Sequence, residues 1–143
     1  MTTRRVVTVV GTRPEAIKMA PVIRAIRQHK DELDSVVIAT AQHREMLDQV
    51  LGLFQIALDL DLDLMRPEQP LTDLTARVLR EMEKALAEVQ PDLLLVQGDT
   101  TTVFAAALAA YYAGVPVGHV EAGLRSRDLR NPFPEELNRR LTS

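Results

Sequence analysis

The sequence alternates short apolar runs with longer segments of helical periodicity, and this alternation restricts the fold more than any other feature. The run VVTVV at residues 6–10 is β-branched and ends at Gly11, as expected of a strand buried on both faces. The next segment has apolar residues at helical spacing, although Pro21 inside it should kink or restart the helix. Helical connections between short buried strands specify a parallel sheet covered on both faces. We therefore predict a doubly wound α/β domain.

The rest of the chain continues the pattern. We predict further strands at residues 35–41, 92–97 and 116–120, with helices between them. Residues 58–64 alternate leucine with aspartate, and this period of two fits an exposed or edge strand. The second helix should carry Met46, Val50 and Leu53 on one side. A final helix should begin near Glu135, after a stiff proline loop.

Composition excludes several classes of protein. With 143 residues, 46% of them hydrophobic, and a net charge of −3, the chain has the profile of one globular domain. Mild acidity argues against a nucleic-acid partner, and the absence of cysteine excludes disulfides and thiolate metal sites. The apolar run after the N-terminal arginines is too short for a signal peptide or a spanning helix. We therefore expect a cytoplasmic protein that acts without a membrane.

Polar segments follow three of the predicted strands, at residues 11–15, 98–102 and 119–126. Ligands of parallel sheets bind beyond the carboxyl ends of the strands, so we expect these segments to converge on one crevice. In the first, free backbone N–H groups at the helix start, together with Arg13, could hold an anion. A plain strand-to-helix turn with a solvated arginine explains the pattern equally well. One glycine is not a dinucleotide fingerprint, so neither a nicotinamide nor a flavin cofactor is predicted.

Acidic residues and a histidine stand at the same strand ends. Asp99 is either part of a helix cap or a carboxylate whose pKa is tuned for proton transfer. His119 and Glu121 should project to one face of an extended segment, although His119 alone fits a core histidine bonded to backbone. Glu135 and Glu136 either complement a helix dipole or add acid–base groups. No compact set of ligands has metal-site spacing, so no metal is predicted.

Four motifs together resemble one known family. VVGTRPEAIKMAPVI, ATAQHREMLDQVL, QGDTTTVFAAALAA and GHVEAGLRSRDLRNPFPEELNRRLTS are similar to the N-terminal part of the non-hydrolysing UDP-N-acetylglucosamine 2-epimerases. The resemblance covers essentially the whole chain. It implies a glycosyltransferase-B type fold, with the active site between two Rossmann-like domains. We expect residues 1–143 to form the first of these domains, with the C-terminal nucleotide-binding domain absent from this chain.

The resemblance also implies an activity. Family members interconvert UDP-N-acetylglucosamine and UDP-N-acetylmannosamine by eliminating UDP to a 2-acetamidoglucal and adding it back, without a cofactor. Their second domain supplies most contacts to UDP and a catalytic histidine, so we expect little or no epimerase activity from these residues alone. A homodimer and a role in cell-surface polysaccharide synthesis are expected as well. The alternatives are the N-terminal domain of another glycosyltransferase-B enzyme, a hydrolysing epimerase, or a stand-alone binding module.

Site residues are carried over from the resemblance position by position. The predicted catalytic residues are Asp99, Glu121 and Glu135, and the predicted substrate-binding residues are Arg13, His119 and Arg125. The candidate allosteric residues, where bacterial relatives bind a second substrate molecule, are Gln42, His43 and Gln69.

Overall fold

The structure is built on a parallel sheet with helices on both faces. It is a computed structural model that describes residues 2–40, 44–64 and 66–143. The strands are β1 (Arg4–Val10), β2 (Leu33–Ala39), β3 (Leu60–Asp61), β4 (Leu93–Gln97) and β5 (Val117–Val120). The helices are α1 (Arg13–Gln28), α2 (Arg44–Leu53), α3 (Leu71–Val89), α4 (Thr101–Tyr112) and α5 (Glu135–Thr142). The strands pair in parallel in the order β3-β2-β1-β4-β5, which confirms the predicted doubly wound α/β architecture.

Two separate hydrophobic clusters cover the two faces of the sheet. Helices α1 and α2 pack on one face, where Met19, Ile23 and Leu47 are fully buried. Helices α3 and α4 pack on the other, with Val78 and Met82 at the centre. In β1, Val7 and Val9 belong to the cluster under α3 and α4 and Val10 to the cluster under α1 and α2, and every position from residue 6 to residue 10 is buried. This double burial explains why β1 is a continuous run of small β-branched residues rather than an apolar–polar alternation.

Strand β3 is shorter than the sequence predicts. The leucine–aspartate alternation predicts a strand over residues 58–64, whereas β3 comprises two residues at the edge of the sheet beside β2. Before β3, Asp59 bonds Val37 twice: its side chain accepts the Val37 N–H at 2.7 Å, and its own N–H donates to the Val37 carbonyl at 2.9 Å. Asp63 then adopts a φ of +47°, which an extended strand does not tolerate. The edge position is confirmed, and the predicted length is wrong.

Helix α1 passes through its proline. A restart at Pro21 was one of two expectations, but α1 runs unbroken from Arg13 to Gln28. At the end of the chain, α5 begins at Glu135 as predicted. In the described residues, no helix combines the length and the apolar character needed to span a bilayer.

The buried face of α2 differs from the predicted one. Leu47, Val50 and Leu51 are buried against α1 and the sheet, whereas Met46 and Leu53 are 43% and 79% exposed. Residues three and four positions apart share a helix face, and the set at 47, 50 and 51 fits that spacing as well as the predicted set does. Only packing against the sheet distinguishes them. The prediction that Met46 and Leu53 share the packed side with Val50 is therefore wrong.

Two leucines of α2 provide a matched test of this packing. We expect Leu47→Ala to lower the free energy of unfolding by about 2–5 kcal/mol, because it leaves a cavity between α2 and the sheet. Leu53→Ala makes the same change at an exposed side chain and should alter that free energy by less than about 0.5 kcal/mol. Urea denaturation measures both values. Equal losses from the two substitutions would contradict the orientation of α2.

Candidate active site

The candidate site lies where the connections from β1 and β4 diverge. These strands are neighbours, but the chain leaves β1 towards β2 and leaves β4 towards β5, so a crevice opens at their carboxyl ends. A cavity of about 550 Å³ occupies this position, a volume typical of small-molecule sites. Its lining includes residues 12–15, 98–100, 121 and 124, together with Lys18 and Arg139. The three segments that follow strands therefore converge as predicted.

A larger cavity, of about 680 Å³, lies between α3 and the end of α4. Its wall includes Pro91 and Val115, which precede β4 and β5, so it lies at the amino ends of the strands. We assign the site to the smaller cavity because the strand-end carboxylates line that one.

The turn between β1 and α1 is closed by a capping box. Thr12 is the N-cap of α1, and its hydroxyl accepts the Glu15 N–H at 3.4 Å. In return, the Glu15 carboxylate accepts the Gly11 N–H at 3.2 Å and the Thr12 hydroxyl at 2.6 Å. A Cβ on Gly11 would lie 2.4 Å from the Thr40 hydroxyl, so only glycine fits this turn. The hypothesis that free N–H groups here hold an anion needs correction, because two of these donors already have acceptors within the chain. Arg13 is exposed on the cavity wall.

Glu15 is a buried carboxyl group in the wall of the cavity. Burial raises its pKa from 4.5 to about 7, and the nearby charge of Asp99 acts in the same direction. Hydrogen bonds from Thr12 and Gly11 oppose the rise. Glu15 therefore changes its protonation state close to neutral pH. Sequence reasoning missed it, although TRPE at residues 12–15 carries the spacing of a capping box.

Arg139 brings two of the predicted catalytic residues together. Its Nη2 atom lies 2.9 Å from Asp99 Oδ2 and 3.6 Å from Glu121 Oε1. Asp99 comes from the end of β4, Glu121 from the end of β5 and Arg139 from α5. The predicted proximity of the two carboxylates is confirmed. The cap of α4 is Thr100, whose hydroxyl accepts the Val103 N–H at 3.2 Å, so the Asp99 carboxylate is not used as the cap.

Glu121 is held by several donors. Lys18 Nζ donates to its Oε2 at 2.6 Å and Gln97 Nε2 donates to the same oxygen at 2.9 Å. The Lys18 hydrogen bond is the main cause of a lowered pKa for Glu121, and the charges of Lys18 and Arg139 add to it. Its backbone has a φ of +62°, in the left-handed region. Sequence analysis missed Lys18 and Gln97; the one signal for Lys18 is its position one helical turn after Pro14.

His119 does not line the cavity, and this corrects the expectation that it shares a face with Glu121. Its Nε2 atom lies 2.7 Å from the Gly98 carbonyl, and its Nδ1 atom lies 2.8 Å from the Ser143 hydroxyl. Strand β5 ends at Val120, so the alternation of side chains does not extend to Glu121. The alternative interpretation, a histidine bonded to backbone, describes its contacts.

Two more of the predicted residues point elsewhere. Arg125 Nη1 donates to the carbonyls of Ala122 and Leu124, so its guanidinium folds back onto its own loop. Glu135 is half-buried in the first turn of α5 and does not line the cavity. Its neighbour Glu136 is buried instead. The structure thus places Arg13, Asp99 and Glu121 at the cavity, and places His119, Arg125 and Glu135 outside its wall.

Glu136 fixes the loop that precedes α5. It accepts the Ser126 and Arg127 N–H groups, each at 2.9 Å, and Arg140 Nε at 3.2 Å. The Ser126 N–H is the main cause of a lowered pKa for Glu136. A carboxylate with these contacts secures the start of α5, on which Arg139 stands.

The candidate allosteric residues form no site that the structure can test. Gln42 and His43 lie outside the described residues. Gln69 Oε1 accepts the Arg66 N–H at 3.3 Å, and its buried Nε2 has no partner in the described part of the chain. Within the same residues there is no group of three or more His, Cys, Asp or Glu side chains that could hold a metal ion.

A comparison with family models decides the relationship. The model of the UDP-N-acetylglucosamine 2-epimerase family matches residues 24–143. The chain belongs to this family. The match covers β2 to α5, and with them Asp99, Glu121 and Arg139.

Individual epimerases agree with the family match. The UDP-N-acetylglucosamine 2-epimerase of Yersinia pestis is 59% identical over 138 residues, which are 96% of this chain and 36% of that protein. The crystal structure of the Neisseria meningitidis epimerase bound to UDP-GlcNAc is 56% identical, with a TM-score of 0.92 over 96% of this chain and 38% of that one. The Methanocaldococcus jannaschii epimerase in complex with UDP-GlcNAc and UDP is 38% identical, with a TM-score of 0.87 over 96% and 37% of the two chains.

This member of the epimerase family spans little more than a third of the length of the curated relatives it matches. Its Rossmann-like fold is that of the corresponding part of the solved epimerases, which confirms the expected fold class. MurG of Acinetobacter baumannii, at 14% identity and a TM-score of 0.67, shares the fold alone.

The raised pKa of Glu15 predicts how stability depends on pH. The folded chain retains a proton on Glu15 up to about pH 7, whereas the unfolded chain releases it near pH 4.5. This contribution to stability is complete below pH 4.5 and is lost as the pH rises through about 7. At about 1.4 kcal/mol per pKa unit, the loss amounts to about 3 kcal/mol. Glu15→Gln should abolish it, so the variant should gain stability relative to the unmodified chain as the pH rises.

Chemical denaturation at about pH 4 and about pH 8 measures this difference. Thr100→Ala is the control, because it removes a helix cap without a titrating group and should cost about 1 kcal/mol at both pH values. A difference between Glu15→Gln and the unmodified chain that stays constant with pH would contradict the assigned state of Glu15.

Proposed function

We propose that the chain is the N-terminal, Rossmann-like part of a non-hydrolysing UDP-N-acetylglucosamine 2-epimerase. The observation that carries the proposal is the pairing of Asp99 and Glu121 through Arg139, in a cavity at the strand ends of an epimerase-family fold. The Neisseria meningitidis relative binds UDP-GlcNAc, and we extend this substrate class to the cavity described here. The reaction interconverts UDP-N-acetylglucosamine and UDP-N-acetylmannosamine.

The proposed chemistry needs a group that removes the proton at C2 and a group that delivers a proton to the opposite face of C2. A base removes the proton from C2 of the sugar, the C1–O bond to UDP breaks, and a C1–C2 double bond forms in the 2-acetamidoglucal. A proton then returns to the opposite face of C2, and UDP adds back at C1. The C2 proton is weakly acidic, so a positioned base contributes strongly to the rate. Asp99 and Glu121 are the candidates on this side of the cavity, and the lowered pKa of Glu121 keeps it ionised at neutral pH.

Cationic side chains suit the leaving group. UDP departs with its negative charge, and fixed positive groups near the breaking bond stabilise that charge as it develops. Arg13 and Lys18 both line the cavity from α1. We propose Arg13 as a contact to the nucleotide. Lys18 pairs with Glu121, so its positive charge stabilises the ionised form of that carboxylate.

Other expectations remain predictions. Catalytic Glu135 and substrate-binding His119 and Arg125 keep their support from the resemblance, but none of the three lines this cavity. The homodimer, the cytoplasmic location and the role of Gln42, His43 and Gln69 are also predictions. A hydrolysing epimerase would release free N-acetylmannosamine and UDP, whereas the proposed enzyme yields a mixture of two UDP-sugars. Analysis of the products therefore separates these two functions.

A fusion tests the proposal directly. The chain replaces the 138 matched residues of the Yersinia pestis epimerase, with which it is 59% identical. We expect the fusion to convert UDP-N-acetylglucosamine to UDP-N-acetylmannosamine, and the 143-residue chain to show little or no conversion. Chromatography of the nucleotide sugars measures both. A folded fusion without conversion would contradict the proposed function, and conversion by the chain alone would contradict the need for a second domain.

Substitutions in the fusion test the site. Asp99→Asn and Glu121→Gln should each lower kcat by about 10²–10⁴-fold, because each removes a group that takes or gives a proton. Asp92→Asn is the matched control, since Asp92 precedes β4 and pairs with Arg4 and the Arg5 N–H at the amino ends of the strands, away from the cavity. It should leave kcat unchanged. If the Asp99 and Glu121 variants of an active fusion kept full activity, these carboxylates would not be the groups that transfer the C2 proton.

A further inference from the structure

Arg139 is a charged residue inside the wall of the candidate site. Its side chain is 5% exposed, although it lies on a short helix at the surface of the fold. The Nη2 atom faces Asp99 Oδ2 at 2.9 Å and Glu121 Oε1 at 3.6 Å, and Nη1 donates to the Leu124 carbonyl at 3.4 Å. One guanidinium therefore contacts the ends of two strands and the loop beyond the second.

Stability does not account for a buried arginine at this place. Removing a guanidinium from water costs several kcal/mol, which ion pairing offsets only in part, and hydrophobic replacements of buried ion pairs are often neutral or stabilising. Arg139 Nε is also buried without a hydrogen-bond partner among the described residues, and an unsatisfied buried donor lowers stability further. The arginine therefore contributes chiefly to the geometry of the groups it contacts.

The helix holds the guanidinium in a fixed position. Asn138, the preceding residue, donates from Nδ2 to the Asp99 carbonyl at 3.1 Å and to the Thr101 hydroxyl at 3.3 Å. These bonds fix the middle of α5 against the turn between β4 and α4. Arg139 thus approaches the Asp99 carboxylate from a helix whose Asn138 side chain is hydrogen-bonded to the Asp99 carbonyl.

Lys18 cannot provide the same restraint. It contacts Glu121 but not Asp99, and its side chain is 50% exposed, so solvent screens its charge and the chain of methylenes can move. The guanidinium, in contrast, is planar and presents several donors in a rigid arrangement, which suits contact with two carboxylates at once.

We propose that Arg139 is a positioning residue that holds the Asp99 and Glu121 carboxylates side by side at the edge of the cavity. The inference rests on the proposed function, in which these two carboxylates handle the C2 proton. Without Arg139, Asp99 would lose its ion pair and would face the Glu121 carboxylate with no cation between the two, although Lys18 would still pair with Glu121. The loop at Leu124 would also lose its contact with α5.

The test compares three variants of the 143-residue chain. Arg139→Met removes the charge, and Arg139→Lys keeps it but replaces the fork of donors with a single ammonium group. Arg140→Met is the matched control, because it removes the same charge from the next position of α5, where the side chain pairs with Glu136 outside the cavity. Carbon-detected NMR follows the carboxyl carbon of Glu121 through a pH titration, and that of Asp99 at neutral pH. Thermal unfolding of each variant checks the fold.

We expect Arg139→Met to raise the pKa of Glu121 and to shift the Asp99 carboxyl resonance, because Asp99 then repels Glu121 without an intervening cation. Arg139→Lys should raise the pKa of Glu121 by less, and Arg140→Met should reproduce the unmodified chain. If Arg139→Met does not fold, the Glu121 pKa and the Asp99 carboxyl resonance of Arg139→Lys test the proposal instead. Titration of Glu121 in the Arg139 variants that matches Arg140→Met would overturn the proposal, even if the variants are less stable.

These readouts do not depend on catalysis, so the two proposals can fail separately. Altered carboxylates in the Arg139 variants, together with an inactive fusion, would support Arg139 as the positioning residue and reject the epimerase activity. An active fusion, together with unaltered carboxylates in the Arg139 variants, would support the epimerase activity and reject Arg139 as the positioning residue.

Discussion

The structure depends on the hydrogen bonding of β1 to neighbours on both sides. It pairs with β2 over seven positions and with β4 over three, so it lies at the centre of the sheet with helices above and below. A central parallel strand has no polar face, which requires small β-branched side chains along its length. Because the chain leaves β1 and β4 in opposite directions, a crevice opens at their carboxyl ends, and the candidate site lies in it. The same pairing therefore fixes the position of the core and the position of the candidate site.

Three glutamates in or beside this crevice show how burial and local contacts compete in setting the pKa of a carboxyl group. The Glu15 and Glu136 side chains are both buried, yet their pKa values move in opposite directions. Glu136 accepts two backbone N–H groups at 2.9 Å and has Arg140 beside it, and these contacts lower its pKa. At Glu15 the desolvation of the buried carboxyl group dominates, the hydrogen bonds from Thr12 and Gly11 oppose it only in part, and the charge of Asp99 adds to the rise. Glu121, with Lys18 as its main partner, resembles Glu136 in direction. The site thus contains carboxyl groups in different protonation states at neutral pH.

The sequence alone predicted much of the fold but only part of the site. Apolar runs and polar strand ends are local signals, so the sheet, the start of α5 and the convergence of Asp99 and Glu121 could be predicted. The position of His119 could not, since it depends on β5 ending one residue before the expected alternation is complete. Arg139 gave no signal either, because it lies on a helix about twenty residues from Glu121 in sequence and reaches the cavity only through tertiary packing. The burial of Leu47 rather than Leu53 has the same origin.

The backbone of Glu121 adds a cost that its contacts do not reveal. At a φ of +62°, a residue with a side chain is less stable than glycine by about 1 kcal/mol or more. Glycine would relieve that strain, and it would also remove the carboxylate that meets Lys18, Gln97 and Arg139. Selection for a more stable domain and selection for an intact cavity therefore act in opposite directions at this one position. A gain in the stability of this turn therefore comes at the expense of the contacts that join α1, β4 and α5 at the cavity.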